Sequence, residues 1–209
     1  MMACMIGKVY ADRRGFARCA GFSYARAMNR IAFPAAVLAL SVIWFAGTAG
    51  AQGVADPGAN VMPSAALRLS EYSAPTPLVI PGARAIDTPE LRERIAGERP
   101  PLLFDTAGGS GHDSIPGAVW LPGAGLGTGF DDSLQQHLGN ALALVTREDL
   151  TRPLVFFCVS RNCWLSYNAA LRAVRLGYRE VYWYRGGLEA WRAAGGELAP
   201  PKIVWRRAQ

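Results

Sequence analysis

The most regular feature of the chain is an alternation of short apolar runs with helical patterns between residues 83 and 195. A continuous apolar run of four residues predicts a buried strand, and apolar residues spaced three and four apart predict an amphipathic helix. The pattern predicts strands over 83–86, 101–105, 118–121, 154–157 and 181–184, and helices over 88–96, 133–145, 164–176 and 187–194. Strands that alternate with helices in this way predict an α/β fold, with a central parallel sheet flanked by helices.

Local signals mark where two of these helices begin. Thr88 is the expected N-cap of the first helix, and Pro89 follows at its first helical position. Two aspartates and a serine at 131–133 are expected to cap the second. The most apolar strand is Leu154–Phe157, and its composition is typical of a central strand in a parallel sheet.

The segment before the alternating pattern has a different composition. Residues 52–82 are rich in Pro, Ala and Gly and lack an apolar period, which predicts a linker or an extended N-terminal arm. Within this segment, 78–80 is a candidate for a short edge strand. We therefore divide the chain into a leader at 1–51, an arm at 52–82 and a domain at 83–209.

The leader has the features of a secretory signal peptide. Arg30 precedes an uncharged apolar run of 16 residues, and Ala-Gly-Ala at 49–51 fits a cleavage site before Gln52. A start at Met28 would give a signal of conventional length, and we expect the true start there. An uncleaved anchor is the alternative, although the run is short for a span of about 20 residues. This interpretation predicts an exported protein, periplasmic in a bacterium, that is not membrane-bound after cleavage.

The net charge of +6 does not indicate nucleic-acid binding. The leader contains six of the 22 basic residues and one of the 16 acidic residues, so the remainder of the chain carries a net charge of +1. Such a body lacks the basic footprint that a phosphate backbone requires. We expect no nucleic-acid partner.

Cleavage before Gln52 would leave two cysteines, Cys158 and Cys163. A pair five residues apart in an oxidising compartment forms either a local disulfide or a redox or nucleophile site. Cys158 follows the most apolar strand and precedes a helix, where backbone amides favour a thiolate and bind anions, and Arg161 adds positive charge. An inert buried cysteine is the alternative. Two thiols and two distant histidines make a poor ligand set, so we expect no metal site.

Two further polar residues lie near strand ends. Asp105 ends the strand at 101–105, and His112 lies in the Gly-rich loop that follows. We interpret Asp105 as an acceptor for amides of a neighbouring loop rather than as a catalytic acid. We interpret His112 as a residue that stabilises the turn rather than as a base or ligand.

Taken in order, four segments resemble those of the rhodanese-like domain family. They are Leu102-Leu103-Phe104-Asp105, the Gly-His-Asp-Ser-Ile-Pro-Gly-Ala stretch at 111–118, Val155-Phe156-Phe157-Cys158, and a closing set of Leu176-Gly177-Tyr178, Val181, Gly186-Gly187 and Trp191. The resemblance implies a rhodanese-like fold in which Cys158 carries sulfur.

A closer resemblance is to the rhodanese-like subgroup with a Cys-x-x-Cys-Trp motif, which is associated with pyrroloquinoline quinone (PQQ)-dependent catabolism of alcohols. The stretches at 114–123 and 163–170 carry it, and 181–184 supports it. This resemblance implies a link to a quinone-dependent dehydrogenase or its transport system. The residues themselves indicate no quinone site, and we expect no bound cofactor.

The loop after Cys158 departs from both patterns. An active rhodanese loop usually reads Cys-x-x-Gly-x-Arg, whereas this chain has Arg161 at the glycine position and Cys163 at the arginine position. We therefore expect weak or no thiosulfate:cyanide sulfur transfer. Four residues separate the two cysteines, which is wider than the Cys-x-x-Cys spacing of the subgroup's name.

Three hypotheses follow. In the first, a periplasmic thiol enzyme attacks a small sulfur-containing or thiol substrate through Cys158, and Cys163 resolves the intermediate into a disulfide. In the second, the disulfide is structural and the protein is an accessory or binding module for a quinone-dependent dehydrogenase system. In the third, the pair is a redox carrier between partners. The residues expected to contact substrate are Ser160, Arg161, Asn162 and Trp164.

Overall fold

The computed structural model describes residues 56–109 and 111–203, so the predictions for the leader lie outside the described residues. Within this part, the strands are β1 Arg84–Ile86, β2 Leu102–Asp105, β3 Val119–Trp120, β4 Leu154–Phe157, β5 Val181–Tyr184 and β6 Lys202–Ile203. The α-helices are α1 Thr88–Ala96, α2 Ser133–Thr146, α3 Trp164–Arg175 and α4 Gly187–Ala193, and a short 3-10 helix covers Pro57–Asn60. None of the helices in the described ranges has the length and apolar character needed to cross a membrane.

The strands form one parallel sheet in the order β1-β5-β4-β2-β3-β6. Strand β4 lies in the interior of this order and all four of its residues are buried, as the continuous apolar run predicts. The predicted α/β fold with a central parallel sheet flanked by helices is confirmed.

Helices cover both faces of the sheet. On one face, Phe156 packs with Leu138 of α2 and Ala169 of α3. On the other, Val155 packs with Leu91 of α1 and Leu188 of α4. Because successive strand side chains point to opposite faces, neighbouring residues of β4 serve the two separate halves of the core. Because the strands are parallel, their carboxyl ends all lie at the same end of the sheet.

The structure corrects the predicted cap of α1. The side chain of Asp87 accepts a hydrogen bond from the Glu90 amide at 2.9 Å, so Asp87 is the N-cap and Thr88 is the first helical residue. The hydroxyl of Thr88 instead pairs with the Tyr184 hydroxyl at 2.6 Å. Both residue types cap helices well, and this tertiary contact accounts for the different use of Thr88. The prediction for α2 is confirmed, since Asp132 caps it.

The edges of the sheet also differ from the prediction. Residues 78–80 do not form a strand, and β1 is the edge on that side. The opposite edge is β6, which pairs with β3 although its two residues lie in a short Pro-containing segment that the sequence pattern did not indicate. Neither difference alters the carboxyl end of β4, where Cys158 lies.

The described part of the arm, 56–82, packs on the domain. The Tyr167 hydroxyl of α3 donates to the Ser64 carbonyl at 2.8 Å and accepts from the Ser64 amide at 3.0 Å. The Asn168 side chain pairs in the same reciprocal way with the backbone of Arg68. Both side chains belong to α3 and satisfy backbone groups of the arm. These hydrogen bonds hold the irregular arm against the helix.

A buried ion pair fixes the loop that leads into α2. Arg172 of α3 is fully buried, and its guanidinium forms hydrogen bonds with both carboxylate oxygens of Asp132 at 2.9 and 3.0 Å. The same group donates to the carbonyls of Leu126 and Gly129. Burial of the Asp132 carboxyl opposes its ionisation, but the Arg172 guanidinium and three backbone amides outweigh this and hold its pKa well below the ordinary range.

Candidate active site at the Cys158–Cys163 disulfide

Cys158 is held at the carboxyl edge of the sheet by the helix that follows the neighbouring strand. The Leu188 amide of α4 donates to the Cys158 carbonyl at 2.9 Å, and the Glu189 amide donates to the Val159 carbonyl at 2.9 Å. Gly187 allows this close approach, because a Cβ there would lie 2.3 Å from the Cys158 oxygen. The start of α4 therefore sets the backbone path of the cysteine loop.

The two cysteines form a disulfide, with their Cα atoms 6.1 Å apart. This distance lies within the range that a disulfide requires. The prediction that the pair can bridge is confirmed. Cys163 also occupies the N-cap position of α3 and makes no side-chain capping hydrogen bond. A residue at this position lies at the positive end of the helix dipole, which in general favours a thiolate.

The two cysteines differ in exposure. Cys158 is 2% exposed, whereas Cys163 is partly exposed. In the disulfide-bonded state Cys158 is thus not an open nucleophile at the base of a solvent-filled pocket. Of the two residues, Cys163 is the more accessible.

The arm runs along one side of the cysteine loop. Ser73 pairs with Cys163 through an isolated antiparallel bridge, and the Trp164 amide donates to the Tyr72 carbonyl at 2.9 Å. Further along, the hydroxyl of Thr76 donates to the Arg161 carbonyl at 2.6 Å. The loop therefore has the arm on one side and α4 on the other, and its residues Val159, Arg161 and Asn162 are exposed.

The residues that the sequence predicted as substrate contacts have different roles in the structure. Ser160 turns the loop: its hydroxyl accepts from the Asn162 amide at 3.2 Å, and its carbonyl accepts from the Cys163 amide at 3.2 Å. Asn162 is exposed to solvent. Trp164 is buried and its indole N–H donates to the Pro75 carbonyl at 3.2 Å, so it anchors the arm.

The side chain of Arg161 is 55% exposed and reaches the Asp56 carboxylate of the arm at 3.4 Å. The loop arginine that the sequence identified as an anion contact therefore does meet an anion, but one supplied by the chain itself. The arm had offered no sequence signal for this contact, because Asp56 stands alone in a Pro-, Gly- and Ala-rich segment.

Sequence reasoning missed Arg185. This residue follows β5, and its guanidinium grips the Asp56 carboxylate through two bonds, Nη1 to Oδ2 at 2.6 Å and Nη2 to Oδ1 at 2.8 Å. The hydrogen bonds from Arg185 hold the pKa of Asp56 well below its usual range. The signal that could have found Arg185 is its position, because it directly follows a strand that ends at the same edge as β4.

Asp105 has the structural role that the sequence predicts. Its carboxylate accepts from the Ala107 amide at 2.9 Å and from the Ser114 hydroxyl at 2.5 Å, and it pairs with His112 Nε2 at 2.7 Å. The Gly-rich loop is thus tied to the end of β2 by one buried carboxylate. In the ranges 56–109 and 111–203, no group of three or more His, Cys, Asp or Glu side chains is arranged to hold a metal ion.

The family model of the rhodanese-like domain matches residues 87–194, which is more than half of the chain. The protein belongs to the rhodanese-like domain family. In this rhodanese-like chain, Cys158 directly follows β4 and is bonded to Cys163. The sequence resemblance to the family is therefore confirmed, whereas the finer resemblance to the PQQ-associated subgroup stays a prediction.

Solved structures similar to this chain match it at low identity. Thiosulfate sulfurtransferase from Pseudomonas aeruginosa is 17% identical over 60% of this chain and 22% of its own, with a TM-score of 0.44. The human single-domain sulfurtransferase TSTD1 is 26% identical over 53% of this chain and 96% of its own, with a TM-score of 0.38. The rhodanese-like domain of Alr3790 from Anabaena is 20% identical over 59% and 83%, with a TM-score of 0.42. The matched region of this chain thus spans about a fifth of the Pseudomonas enzyme. No curated protein matches the chain.

Proposed function

We propose that this rhodanese-like protein carries out thiol–disulfide chemistry on a small persulfide or disulfide substrate, with Cys158 and Cys163 as a redox pair. One observation carries the proposal: Cys163, at the position where rhodanese loops have an anion-binding arginine, is covalently bonded to the cysteine at the end of β4. A ring of so few residues yields little chain-entropy stabilisation, which favours a redox role over a purely structural one.

The reduced pair can remove a sulfane sulfur in two displacements. The Cys158 thiolate attacks the outer sulfur of a persulfide R–S–SH, so that a Cys158 persulfide forms and RS⁻ leaves. The Cys163 thiolate then attacks the Cys158 sulfur, the disulfide forms and HS⁻ leaves. Two cysteine thiols are oxidised and the substrate persulfide is reduced to a thiol and hydrogen sulfide.

The disulfide is reset by an external thiol. A thiolate attacks the Cys163 sulfur, forms a mixed disulfide and expels the Cys158 thiolate; a second thiolate then attacks the external sulfur of the mixed disulfide and releases Cys163. The exposure difference between the two cysteines supports this order. The position of Cys163 at the start of α3 supports its thiolate as the final leaving group.

Two further parts of the proposal rest on the sequence. Export to the periplasm is supported by the apolar run and the Ala-Gly-Ala site at 49–51, and mass spectrometry of the exported protein should find Gln52 as the first residue. A mass that retains 28–51 would contradict cleavage. Association with PQQ-dependent alcohol catabolism, through a quinone-dependent dehydrogenase or its transport system, is supported by the subgroup resemblance at 114–123 and 163–170.

The test combines a potential with a product assay. We expect a reduction potential for the pair above about −300 mV in thiol redox buffers. Reduced protein mixed with glutathione persulfide should release about one equivalent of hydrogen sulfide and reform the disulfide. Cys163→Ser should stop at a persulfide on Cys158 without sulfide release, and Cys158→Ser should do neither.

The rival function is an accessory module with a structural disulfide. The burial of Cys158 and the packing of the arm on Trp164 favour it. A potential below about −300 mV together with no sulfide release would support this rival and overturn the redox proposal.

A further inference from the structure

We infer that Arg185 and Arg161 form an oxyanion-binding site beside the cysteine loop, and that Asp56 of the arm fills it as an internal ligand. The external ligand that this site fits is a small carboxylate, sulfonate or sulfate-type group. This inference deepens the proposed function, on which it rests for the identity of the substrate, by assigning an anchor for the anionic part of a sulfur compound.

The contact between Arg185 and Asp56 has the geometry with which arginine side chains bind anionic ligands. Arg185 presents two N–H groups in parallel to the two oxygens of Asp56, at 2.6 and 2.8 Å. A planar guanidinium fork of this kind binds the paired oxygens of carboxylate and tetrahedral oxyanion groups through two parallel hydrogen bonds. The Arg185 side chain is 13% exposed and the Asp56 side chain 30% exposed, so the contact is partly shielded from water and is screened less than a fully exposed ion pair.

The site adjoins the disulfide because of the sheet register. Phe157 of β4 and Tyr184 of β5 are Cα partners, so Cys158 and Arg185 leave the sheet side by side. Thr76 then links the two arginines: its hydroxyl donates to the Arg161 carbonyl at 2.6 Å and accepts from Arg185 Nε at 3.1 Å. An anion held by Arg185 is therefore adjacent to the loop that carries the two sulfurs.

The second arginine has capacity for a different anion. Arg161 reaches the same oxygen of Asp56 at 3.4 Å, and 55% of its side chain faces solvent. This contact is longer than that of a strong charge-assisted hydrogen bond. A tetrahedral group with three oxygens could engage both guanidinium groups more closely than the two oxygens of a carboxylate on a short tether.

The internal ligand is held in place by its neighbour in the arm. Gly58, two residues after Asp56, packs so tightly that a Cβ would lie 2.2 Å from both the Thr76 carbonyl oxygen and Arg185 Nη2. The Gly58 amide also donates to the Asp56 side chain at 2.8 Å. Since a tethered carboxylate competes at an effective concentration on the order of millimolar, an external anion binds weakly until Asp56 is neutralised or moved.

The experiment measures sulfate and acetate binding to the full, disulfide-bonded chain by calorimetry and by NMR of the arginine Nε–H signals. We expect Asp56→Asn to bind at least one of the two probes at least tenfold more tightly than the parent protein. Glu71→Gln is the matched control, because it removes an arm carboxylate that pairs with Arg68, and it should leave binding unchanged.

Double variants test whether the added anion binds at Arg185 and Arg161. Asp56→Asn combined with Arg185→Gln should abolish the gain, and combination with Arg161→Gln should reduce it. The inference is overturned if Asp56→Asn gives no gain for either probe, or if the gain survives the loss of Arg185. Hydrogen exchange at the Thr76 and Trp164 amides reports whether the arm stays in place in each variant. Because every measurement uses oxidised protein, failure here leaves the redox proposal standing, and failure of the redox assays leaves the anion site standing.

Discussion

Gly187 lies directly against Cys158: a Cβ at position 187 would fall 2.3 Å from the Cys158 carbonyl oxygen, and Gly187 has a φ of +60°. Two requirements thus coincide at one residue, a left-handed backbone and a close approach of α4 to the cysteine loop. The amides that follow Gly187 hold the carbonyls of Cys158 and Val159. The shape of the cysteine loop therefore depends on a glycine outside that loop.

Gly187→Ala should destabilise the protein more than a conformational penalty alone. Gly117 is the matched control, since it has a φ of +82° with no heavy atom within 4 Å of its hypothetical Cβ. We expect Gly117→Ala to cost about 1–2 kcal/mol in the free energy of unfolding, and Gly187→Ala to cost more because the backbone of the cysteine loop must move. Urea unfolding of both oxidised variants tests this, and equal losses would show that the contact with Cys158 is unimportant.

Thiosulfate:cyanide sulfur transfer should be weak or absent. The loop has Cys163 in place of the arginine that holds an anionic substrate in the family's usual loop, and the disulfide occupies the Cys158 sulfur. The assay should be run on oxidised and on thiol-reduced protein, with an ordinary rhodanese as the positive control. Turnover at the level of that control would contradict the prediction, and Arg161 would then be the candidate for the replacement anion contact.

Arg172→Met should be strongly destabilising, by about 3–5 kcal/mol, because it leaves the Asp132 carboxylate without its buried partner. Arg175→Met on the same helix is the control, since Arg175 is exposed and contacts only the Phe130 ring among the interactions described for it. Chemical denaturation at pH 7 measures both. Similar losses for the two variants would mean that the Arg172–Asp132 pair contributes little.

Acid should destabilise the protein through two carboxylates whose pKa values are lowered in the folded state. Arg185 hydrogen bonds lower the pKa of Asp56, and at Asp132 the contacts with Arg172 and the backbone outweigh the opposing effect of burial. Because the folded-state values lie below the ordinary value of 3.8, this stability is fully present above about pH 4 and is lost as the pH falls further. Urea unfolding between pH 7 and pH 3 should show the decline, and it should be smaller in Asp56→Asn than in the parent protein. An unchanged pH profile in that variant would remove Asp56 from the explanation.

Much of the framework could be predicted from the sequence because its signals are local. The apolar run of β4 identifies a central strand, and the residue after such a strand lies at the edge where sites occur, which was enough to select Cys158. The cap of α2, Asp132, lies within the predicted segment 131–133 for the same reason. At α1 two capping residues stood next to each other, and a distant partner, Tyr184, determined which of them capped the helix.

By itself, the sequence determined the α/β architecture, the position of Cys158 and the presence of a second cysteine within bridging reach. Only the tertiary structure decided that the arm lies along the cysteine loop, that β6 closes one edge, and that Asp56 meets Arg185 across 129 residues of chain. The physical reason is the range of the interactions. Periodicity, caps and strand ends depend on neighbours within a few residues, whereas the arm has no period of its own. Its path depends on complementary hydrogen-bonding groups and charges, which come together only after the sheet has placed β4 and β5 side by side.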